Sequence, residues 1–113
     1  MKIYCDSSTK EACIVVEGQS PLIVPYRWTV TVNIGEYLAV IEALYLALAL
    51  RLEQVEILTD SQLVVRQVQD RWKCRATHLK ALRDKTRRLA QSFCSCQFVW
   101  VPREENPAGR VLG

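Results

Sequence analysis

The fold is decided where an apolar stretch runs into a helical one, in the segment Val55-Glu56-Ile57-Leu58-Thr59-Asp60-Ser61-Gln62-Leu63-Val64-Val65. Val55 to Thr59 predicts a strand, and the residues from Ser61 to Gln69 predict a short helix. Either Asp60 or Ser61 can cap that helix at its amino end. A helix between strands implies a parallel pair with a right-handed crossover. Ligand sites of such sheets form beyond the carboxyl ends of the parallel strands, which is where Asp60 lies.

Three more strands are predicted before this segment. Residues 2–6 and 12–17 are apolar runs separated by a polar turn, and Leu22 to Val32 alternates apolar and polar side chains. Pro25 argues for an edge strand or a bulge, because proline has no backbone N–H to donate. Short turns join the three segments, so we expect an antiparallel meander.

The remaining segments predict helices and a last strand. Glu36 to Leu50 is apolar almost all round, which is typical of a buried core helix, and Ala76 to Phe93 shows helical spacing of its apolar residues. Gln97 to Val101 predicts the final strand, which Pro102 ends. The expected architecture is α/β: a mixed five-stranded sheet (antiparallel strands 1–3, then parallel strands 4 and 5) flanked by helices. We expect residues 1–113 to form a single domain.

Three carboxylates lie where predicted elements begin or end. Asp6 closes the first strand, Glu36 opens the long helix, and Asp60 follows the fourth strand. Because the helix from Glu36 crosses the sheet, its carboxylate can reach the edge where the two aspartates lie. A cluster of carboxylate oxygens is what hard divalent cations such as Mg²⁺ require.

The positive charge is concentrated in one part of the chain. The net charge is +3, but eight cations lie between Arg71 and Arg88, opposed only by Asp84. A solvated helix face and a contact surface for a polyanion both fit this pattern. Trp72 with Lys73 and Arg75 around it favours the second, because an aromatic ring among cations suits a nucleic-acid backbone.

Nothing in the composition indicates export or a membrane. The amino terminus lacks the pattern of a secretory signal, so we expect a cytoplasmic location and no membrane partner. The five cysteines do not show the spacing of a zinc site, and we interpret them as reduced thiols. The single His78 is more simply explained as a solvated or partly packed side chain than as a ligand.

Four motifs occur in one order along nearly the whole chain. They are Tyr4-Cys5-Asp6-Ser7-Ser8, Asn33-Ile34-Gly35-Glu36-Tyr37-Leu38-Ala39-Val40-Ile41-Glu42-Ala43-Leu44, Leu58-Thr59-Asp60-Ser61-Gln62-Leu63-Val64-Val65 and Val101-Pro102-Arg103-Glu104-Glu105-Asn106-Pro107-Ala108. Each motif alone is weakly specific, but the four together resemble the ribonuclease H family. That resemblance implies an endonuclease that hydrolyses the RNA strand of RNA–DNA hybrids.

The resemblance also implies site residues and a cofactor. Asp6, Glu36 and Asp60 would be the catalytic residues and would hold Mg²⁺ or Mn²⁺, which activates a water and stabilises the leaving oxygen. Contacts with the hybrid are implied for Asn33, Ser61, Trp72, Lys73, Arg75 and Asn106. For Asn33 a simple turn role remains open, and for Ser61 we favour a helix cap.

The chain departs from the family pattern at the fourth carboxylate. The family usually places it just after its Asn-x-x-Ala pattern, where this chain has Arg110. A guanidinium cannot bind a cation and would repel it, so we expect Arg110→Asp to raise activity. Glu104, Glu105 or Asn106 could substitute as a ligand, but their offset in the chain leaves this open.

Other features of the family are missing. The turn after the first strand is short, the family's histidine near the fourth carboxylate is absent, and we expect no counterpart of the family's C-terminal helix, because the sequence stops at Gly113. We therefore expect part of the sheet to be uncovered, which would invite a partner or a homodimer through that side. Two readings remain open: a weakened hybrid-cleaving endonuclease, and a non-catalytic nucleic-acid-binding or interaction module on the same scaffold.

Overall fold

The computed structural model describes residues 1–113 as one five-stranded sheet with four helices. The strands are β1 (Lys2–Ser7), β2 (Glu11–Val16), β3 (Leu22–Pro25), β4 (Gln54–Thr59) and β5 (Ser95–Trp100), and the helices are α1 (Val32–Ala49), α2 (Gln62–Val68), α3 (Thr77–Ala90) and α4 (Pro107–Leu112). A short 3-10 turn at Arg103–Glu105 connects β5 to α4.

The sheet has the strand order β3-β2-β1-β4-β5. Strand β2 runs antiparallel to both β1 and β3, whereas β4 runs parallel to both β1 and β5. The predicted mixed sheet is therefore confirmed, as is the edge position of β3. Because β1 and β4 are parallel neighbours, their carboxyl ends meet at one edge of the sheet, where Asp6 and Asp60 lie.

Helix α1 forms the centre of the core and packs against β1, β2, β4 and α3. Its length and apolar composition would also suit a membrane span, but its buried face, which includes Tyr37, Val40 and Leu44, belongs to the main hydrophobic cluster. The helix begins earlier than we predicted, because the Thr31 side chain caps it by accepting a hydrogen bond from the backbone N–H of Ile34 at 3.3 Å. Glu36 thus lies in the second turn and does not open the helix.

The third strand is shorter than predicted, since β3 ends at Pro25 and residues 26–31 are not a strand. These residues remain attached to the turn between β1 and β2 by two isolated hydrogen bonds. The backbone N–H of Tyr26 donates to the Lys10 carbonyl at 2.9 Å, and that of Val30 donates to the Thr9 carbonyl at 2.8 Å. The alternation of Tyr26, Trp28 and Val30 imitates a strand, but Pro25 has no N–H with which to continue the ladder.

A helix does follow the last strand, so the expectation that no C-terminal helix forms is wrong. Helix α4 begins with Pro107, and the Asn106 side chain caps it by accepting a hydrogen bond from the backbone N–H of Ala108 at 3.1 Å. The helix packs against β1 and β2, and it thereby covers part of the sheet that we expected to be bare. The homodimer stays a prediction.

The position of Leu44 in the core gives a test of this architecture. Leu44 is fully buried on α1, whereas Leu50 at the end of the same helix is exposed. We expect Leu44→Ala to lower the free energy of unfolding by about 3 kcal/mol, because it removes buried methyl groups and leaves a cavity. Leu50→Ala is the matched control and should cost less than about 1 kcal/mol. Urea unfolding followed by circular dichroism measures both, and equal losses would contradict the described packing.

Candidate metal centre

The three predicted carboxylates converge at one edge of the sheet. Asp6 lies near the carboxyl end of β1, Glu36 in α1, and Asp60 directly after β4. One carboxylate oxygen from each lies within 4.8 Å of the corresponding oxygens of the other two. We call these three residues the carboxylate cluster. The distances among their oxygens suit several ligands to one hard divalent cation.

Two oxygens of the carboxylate cluster are buried without a hydrogen-bond donor. They are Oδ1 of Asp6 and Oε2 of Glu36, and Asp6 as a whole is only 2% exposed. Buried polar atoms are nearly always paired in folded proteins, because an unpaired one loses its bonds to water without replacement. A cation between these oxygens would satisfy both, so the donor set of the cluster fits Mg²⁺ or Mn²⁺.

The carboxylate cluster is also short of positive charge. Burial, and then the negative charges of the two neighbouring aspartates, raise the pKa of Glu36 to about 8. Burial, and then the charge of Asp60, raise the pKa of Asp6 to about 6. The guanidinium of Arg103 lowers both pKa values but offsets only part of the increase. A group of buried acids that resist ionisation is what a divalent cation would stabilise.

Residues at the end of β5 and just after it hold Asp60 in place. The buried side-chain amide of Asn106 donates to the Cys5 carbonyl at 3.0 Å and to Oδ1 of Asp60 at 3.3 Å. Arg103 forms an ion pair with Oδ2 of Asp60 at 3.5 Å, and the indole N–H of Trp100 donates to the Asp60 carbonyl at 3.2 Å. With its own oxygen capping α4, Asn106 has protein partners at both ends of its amide. It therefore ties β1, Asp60 and α4 together.

Sequence and structure comparisons agree on the family. Residues 8–112 match the family described as Reverse transcriptase-like. The structure superposes on ribonuclease H1 of the halophilic archaeon Halobacterium salinarum with a TM-score of 0.87 and 26% identity, over 98% of this chain and 92% of that one. This chain belongs to the ribonuclease H-like superfamily.

Two other ribonuclease H structures are similar to this chain. The N-terminal ribonuclease H domain of a Mycobacterium tuberculosis protein matches with a TM-score of 0.77 and 25% identity, over 99% of this chain and 95% of that one. A ribonuclease H1 isolated from compost, solved in complex with an RNA/DNA hybrid, matches with a TM-score of 0.74 and 25% identity, over 99% of both chains.

Curated relatives of the ribonuclease H-like chain are longer than it is. A bifunctional protein of Mycobacterium tuberculosis is 37% identical over 76 residues, which are 67% of this chain and 21% of that protein. An uncharacterised protein of Mycobacterium bovis matches to the same extent. The chain thus spans about a fifth of the length of these relatives.

Helix α4 approaches the carboxylate cluster closely at position 109. A Cβ atom built on Gly109 would lie 3.3 Å from Oδ2 of Asp6. Arg110, in contrast, is exposed and donates from its guanidinium to the Glu104 carbonyl at 2.9 Å. The guanidinium of Arg110 therefore does not place its charge in the cluster, and position 110 as the place of the missing fourth carboxylate stays a prediction.

Among the predicted nucleic-acid contacts, the assignment of Asn106 is wrong, because this side chain is fully buried and bonded to Asp60. The other predicted contacts lie outside the carboxylate cluster. Asn33 is exposed in the first turn of α1, and Trp72, Lys73 and Arg75 are exposed between α2 and α3. Ser61 is the N-cap of α2 and accepts a hydrogen bond from the backbone N–H of Val64 at 3.3 Å, as the capping alternative predicted.

A second surface of cationic and aromatic side chains was not predicted from the sequence. Lys10, Tyr26, Arg27, Trp28 and Thr29 line an open cavity of about 240 Å³. The Arg27 guanidinium lies 5.0 Å from the ring centre of Trp28, and this tryptophan is 72% exposed. The pairing of Arg27 with Trp28 was the available signal, but we had assigned both to a strand.

The Tyr26 hydroxyl links this second surface to residues next to the carboxylate cluster. The Tyr26 hydroxyl is hydrogen-bonded with the Ser7 hydroxyl at 2.7 Å and donates to the Gly35 carbonyl at 3.0 Å. Ser7 directly follows Asp6, and Gly35 directly precedes Glu36. The cavity is therefore anchored one residue away from two of the three carboxylates.

The raised pKa values predict how stability depends on pH. Between the unfolded pKa values near 4 and the folded pKa of Glu36 at about 8, the folded state holds protons that the unfolded chain has released. The free energy of unfolding of the metal-free protein should therefore fall as pH rises through this range. Mg²⁺ should flatten the decline, because it favours the ionised carboxylates, and Glu36→Gln should flatten it without the ion.

Urea midpoints measured from about pH 5 to about pH 8.5, with and without Mg²⁺, check this dependence. Glu53→Gln is the matched control, because Glu53 is exposed and directly precedes β4, whereas Asp60 follows the other end of that strand. It should leave the decline unchanged. A metal-free protein whose stability is constant over this range would contradict the described burial of Glu36.

Proposed function

We propose that this chain is a metal-dependent endonuclease that hydrolyses the RNA strand of RNA–DNA hybrids. The observation that carries the proposal is the convergence of three carboxylates with two buried, unpaired oxygens. Its support from relatives is the similarity to ribonuclease H1 structures, one of which was solved with an RNA/DNA hybrid.

In this proposal the carboxylate cluster would hold Mg²⁺ or Mn²⁺, which supplies activation of a water and stabilisation of the leaving oxygen. The protein's contribution is to hold Asp6, Glu36 and Asp60 in one geometry before the substrate arrives. Asn106 orients Asp60 through a hydrogen bond from a buried amide. Partners that orient metal ligands are important for metal affinity, so Asn106 acts here as a positioning residue.

Arg103 is the cation best placed to meet a phosphate at this site. It lies against Asp60, yet about two thirds of its side chain is exposed. A guanidinium offers paired N–H donors that match the oxygens of a phosphate group. We therefore include Arg103 among the substrate contacts, although the sequence analysis did not single it out.

Two surfaces on the protein suit the phosphate backbone of a bound hybrid. One consists of Trp72, Lys73 and Arg75, all exposed between α2 and α3. The other is the cavity that contains Lys10, Arg27 and Trp28. Cations attract phosphates and exposed aromatic rings stack on sugars or bases, so binding to either surface should weaken with salt.

The missing fourth carboxylate keeps a second function open, namely a nucleic-acid-binding module without catalysis. No carboxylate reaches the cluster from α4, so the site offers three acidic ligands where the ribonuclease H pattern has four. One cation is well supported by three carboxylates, whereas a second is not. Cleavage weaker than that of a four-carboxylate site is therefore part of the proposal.

A cleavage assay separates these two functions. Wild-type protein with Mg²⁺ or Mn²⁺ should cut a labelled RNA–DNA hybrid in its RNA strand. Asp6→Asn should reduce the rate at least about a hundredfold, because even the loss of an outer partner of a metal ligand costs 10–100-fold. Glu53→Gln is the control and should cut at the wild-type rate. Hybrid binding without cleavage would favour the module, and full activity of Asp6→Asn would refute the assigned site.

The missing fourth carboxylate predicts a gain of function at position 110. Arg110→Asp should restore an acidic ligand at the place where the family pattern has one and raise the cleavage rate about tenfold, which corresponds to roughly 1.4 kcal/mol of barrier. It should also raise Mg²⁺ affinity in calorimetry. Arg110→Gln is the matched control, because it removes the positive charge without adding a carboxylate. An equal gain from Arg110→Gln would show that loss of the cation, and not a fourth ligand, raises the rate.

A further inference from the structure

A buried hydrogen bond starts at the residue that follows Glu36. The Tyr37 hydroxyl lies 2.7 Å from Oε1 of Gln67, and both side chains are buried. Because an amide oxygen can only accept, the Tyr37 hydroxyl donates to Gln67. Helix α1 is thereby joined to α2 through two side chains that water does not reach.

The other end of the Gln67 amide extends this link to the protein surface. Its side-chain N–H donates to the backbone carbonyl of Lys73 at 3.1 Å. Lys73 belongs to the segment between α2 and α3, residues 69–76, which we call the cationic loop. A continuous path of two hydrogen bonds therefore runs from α1, beside Glu36, to the backbone of the cationic loop.

Other contacts fix the backbone of the cationic loop and leave its side chains free. The backbone N–H groups of Arg71 and Trp72 both donate to the Arg66 carbonyl, at 2.8 and 3.2 Å. Cys74 is buried in the hydrophobic core. Between these anchors the side chains of Arg71, Trp72 and Lys73 are exposed. The loop is thus ordered by its main chain while it presents cations and an aromatic ring.

Helix α3 holds the beginning of the cationic loop from the other side. The guanidinium of Arg87 donates to the carbonyls of Gln67 and Val68, at 3.0 and 3.1 Å, and pairs with Asp70 at 3.5 Å. Asp70 has a positive φ of 65°, which reverses the chain after α2. Gln67 is consequently fixed at its backbone by Arg87 and at its side chain by Tyr37.

We propose that Tyr37 and Gln67 are positioning residues that hold the cationic loop at a fixed offset from the carboxylate cluster. A nucleic-acid backbone is the ligand that would contact the cationic loop and the carboxylate cluster at once, so this inference rests on the proposed function. Because the distance between the loop and the cluster is fixed, the loop contacts phosphates of the substrate when the bond to be cut lies at the carboxylates. A loop that is already ordered loses less conformational entropy on binding than a mobile loop would.

A purely structural role for this pair makes different predictions. Loss of a buried hydrogen bond lowers stability wherever it occurs, and it would reduce the folded fraction without changing the affinity of the molecules that remain folded. A positioning role changes affinity at constant folded fraction. It also changes the salt dependence of binding, because each lost phosphate contact reduces the salt slope by about one.

The test measures binding of an RNA–DNA hybrid duplex to folded protein in Ca²⁺, across a range of salt. Tyr37→Phe removes the hydroxyl and keeps the ring, and Gln67→Glu can still accept from Tyr37 but cannot donate to Lys73. Both should raise Kd roughly tenfold and lower the salt slope. In cleavage assays with Mg²⁺ both should raise KM with little change in kcat. Tyr45→Phe is the matched control, because Tyr45 is the exposed tyrosine of α1.

The outcomes distinguish this inference from the proposed function. If wild-type protein binds the hybrid and both variants bind with its Kd and salt slope, the positioning role is overturned while the nuclease proposal stands. If either variant folds poorly, the other supplies the measurement, since they disturb opposite ends of the path. Wild-type protein that binds no hybrid overturns the proposed function, and the inference falls with it.

Discussion

The close approach of α1 to β1 at Gly35 is the constraint on which the carboxylate cluster depends. A Cβ atom at this position would lie 2.5 Å from the Ser7 hydroxyl and 3.0 Å from the Ser8 carbonyl. Only glycine therefore lets the first turns of α1 sit against the end of β1 without a shift. Since Glu36 follows at once, that contact brings its carboxylate to Asp6. A larger residue at position 35 would separate the helix from the strand and the two acids from each other.

Bringing these acids together costs stability that nothing in the metal-free protein fully offsets. Arg103 pairs with Asp60 and Asn106 donates to it, but one oxygen of Asp6 and one of Glu36 stay unpaired. A fold that needed only a core would gain by replacing buried acids with apolar residues. The presence of three acids at this edge of a small domain is the cost that, in the proposed function, a bound cation would offset.

The features of the fold that depend on local sequence patterns could be predicted from the sequence. Most of the strands, their antiparallel or parallel pairing and the convergence of three carboxylates follow from periodicity and from where each strand ends. Residues 26–31 imitate a strand by alternation, and only Pro25 hints that the ladder stops. The close approach of position 109 to Asp6 depends on the helical phase that the Asn106 cap gives to α4, which no local pattern reveals. The pairing of Arg103 with Asp60 joins residues 43 positions apart in the sequence, so it needs the folded sheet.

Two features of the site have related consequences: the missing fourth carboxylate and the hydrogen-bonded path from Tyr37 to the cationic loop. The site lacks a fourth carboxylate, which lessens the repulsion among the three that are present, whereas the path from Tyr37 through Gln67 is bonded to the cationic loop. In the proposed function, the first feature would weaken binding of a second cation, and the second would strengthen binding of a polyanion. A chain built this way would depend more on bound nucleic acid to complete its site than one with four acids. Phosphate oxygens of the substrate then become the natural source of the ligands that the protein lacks.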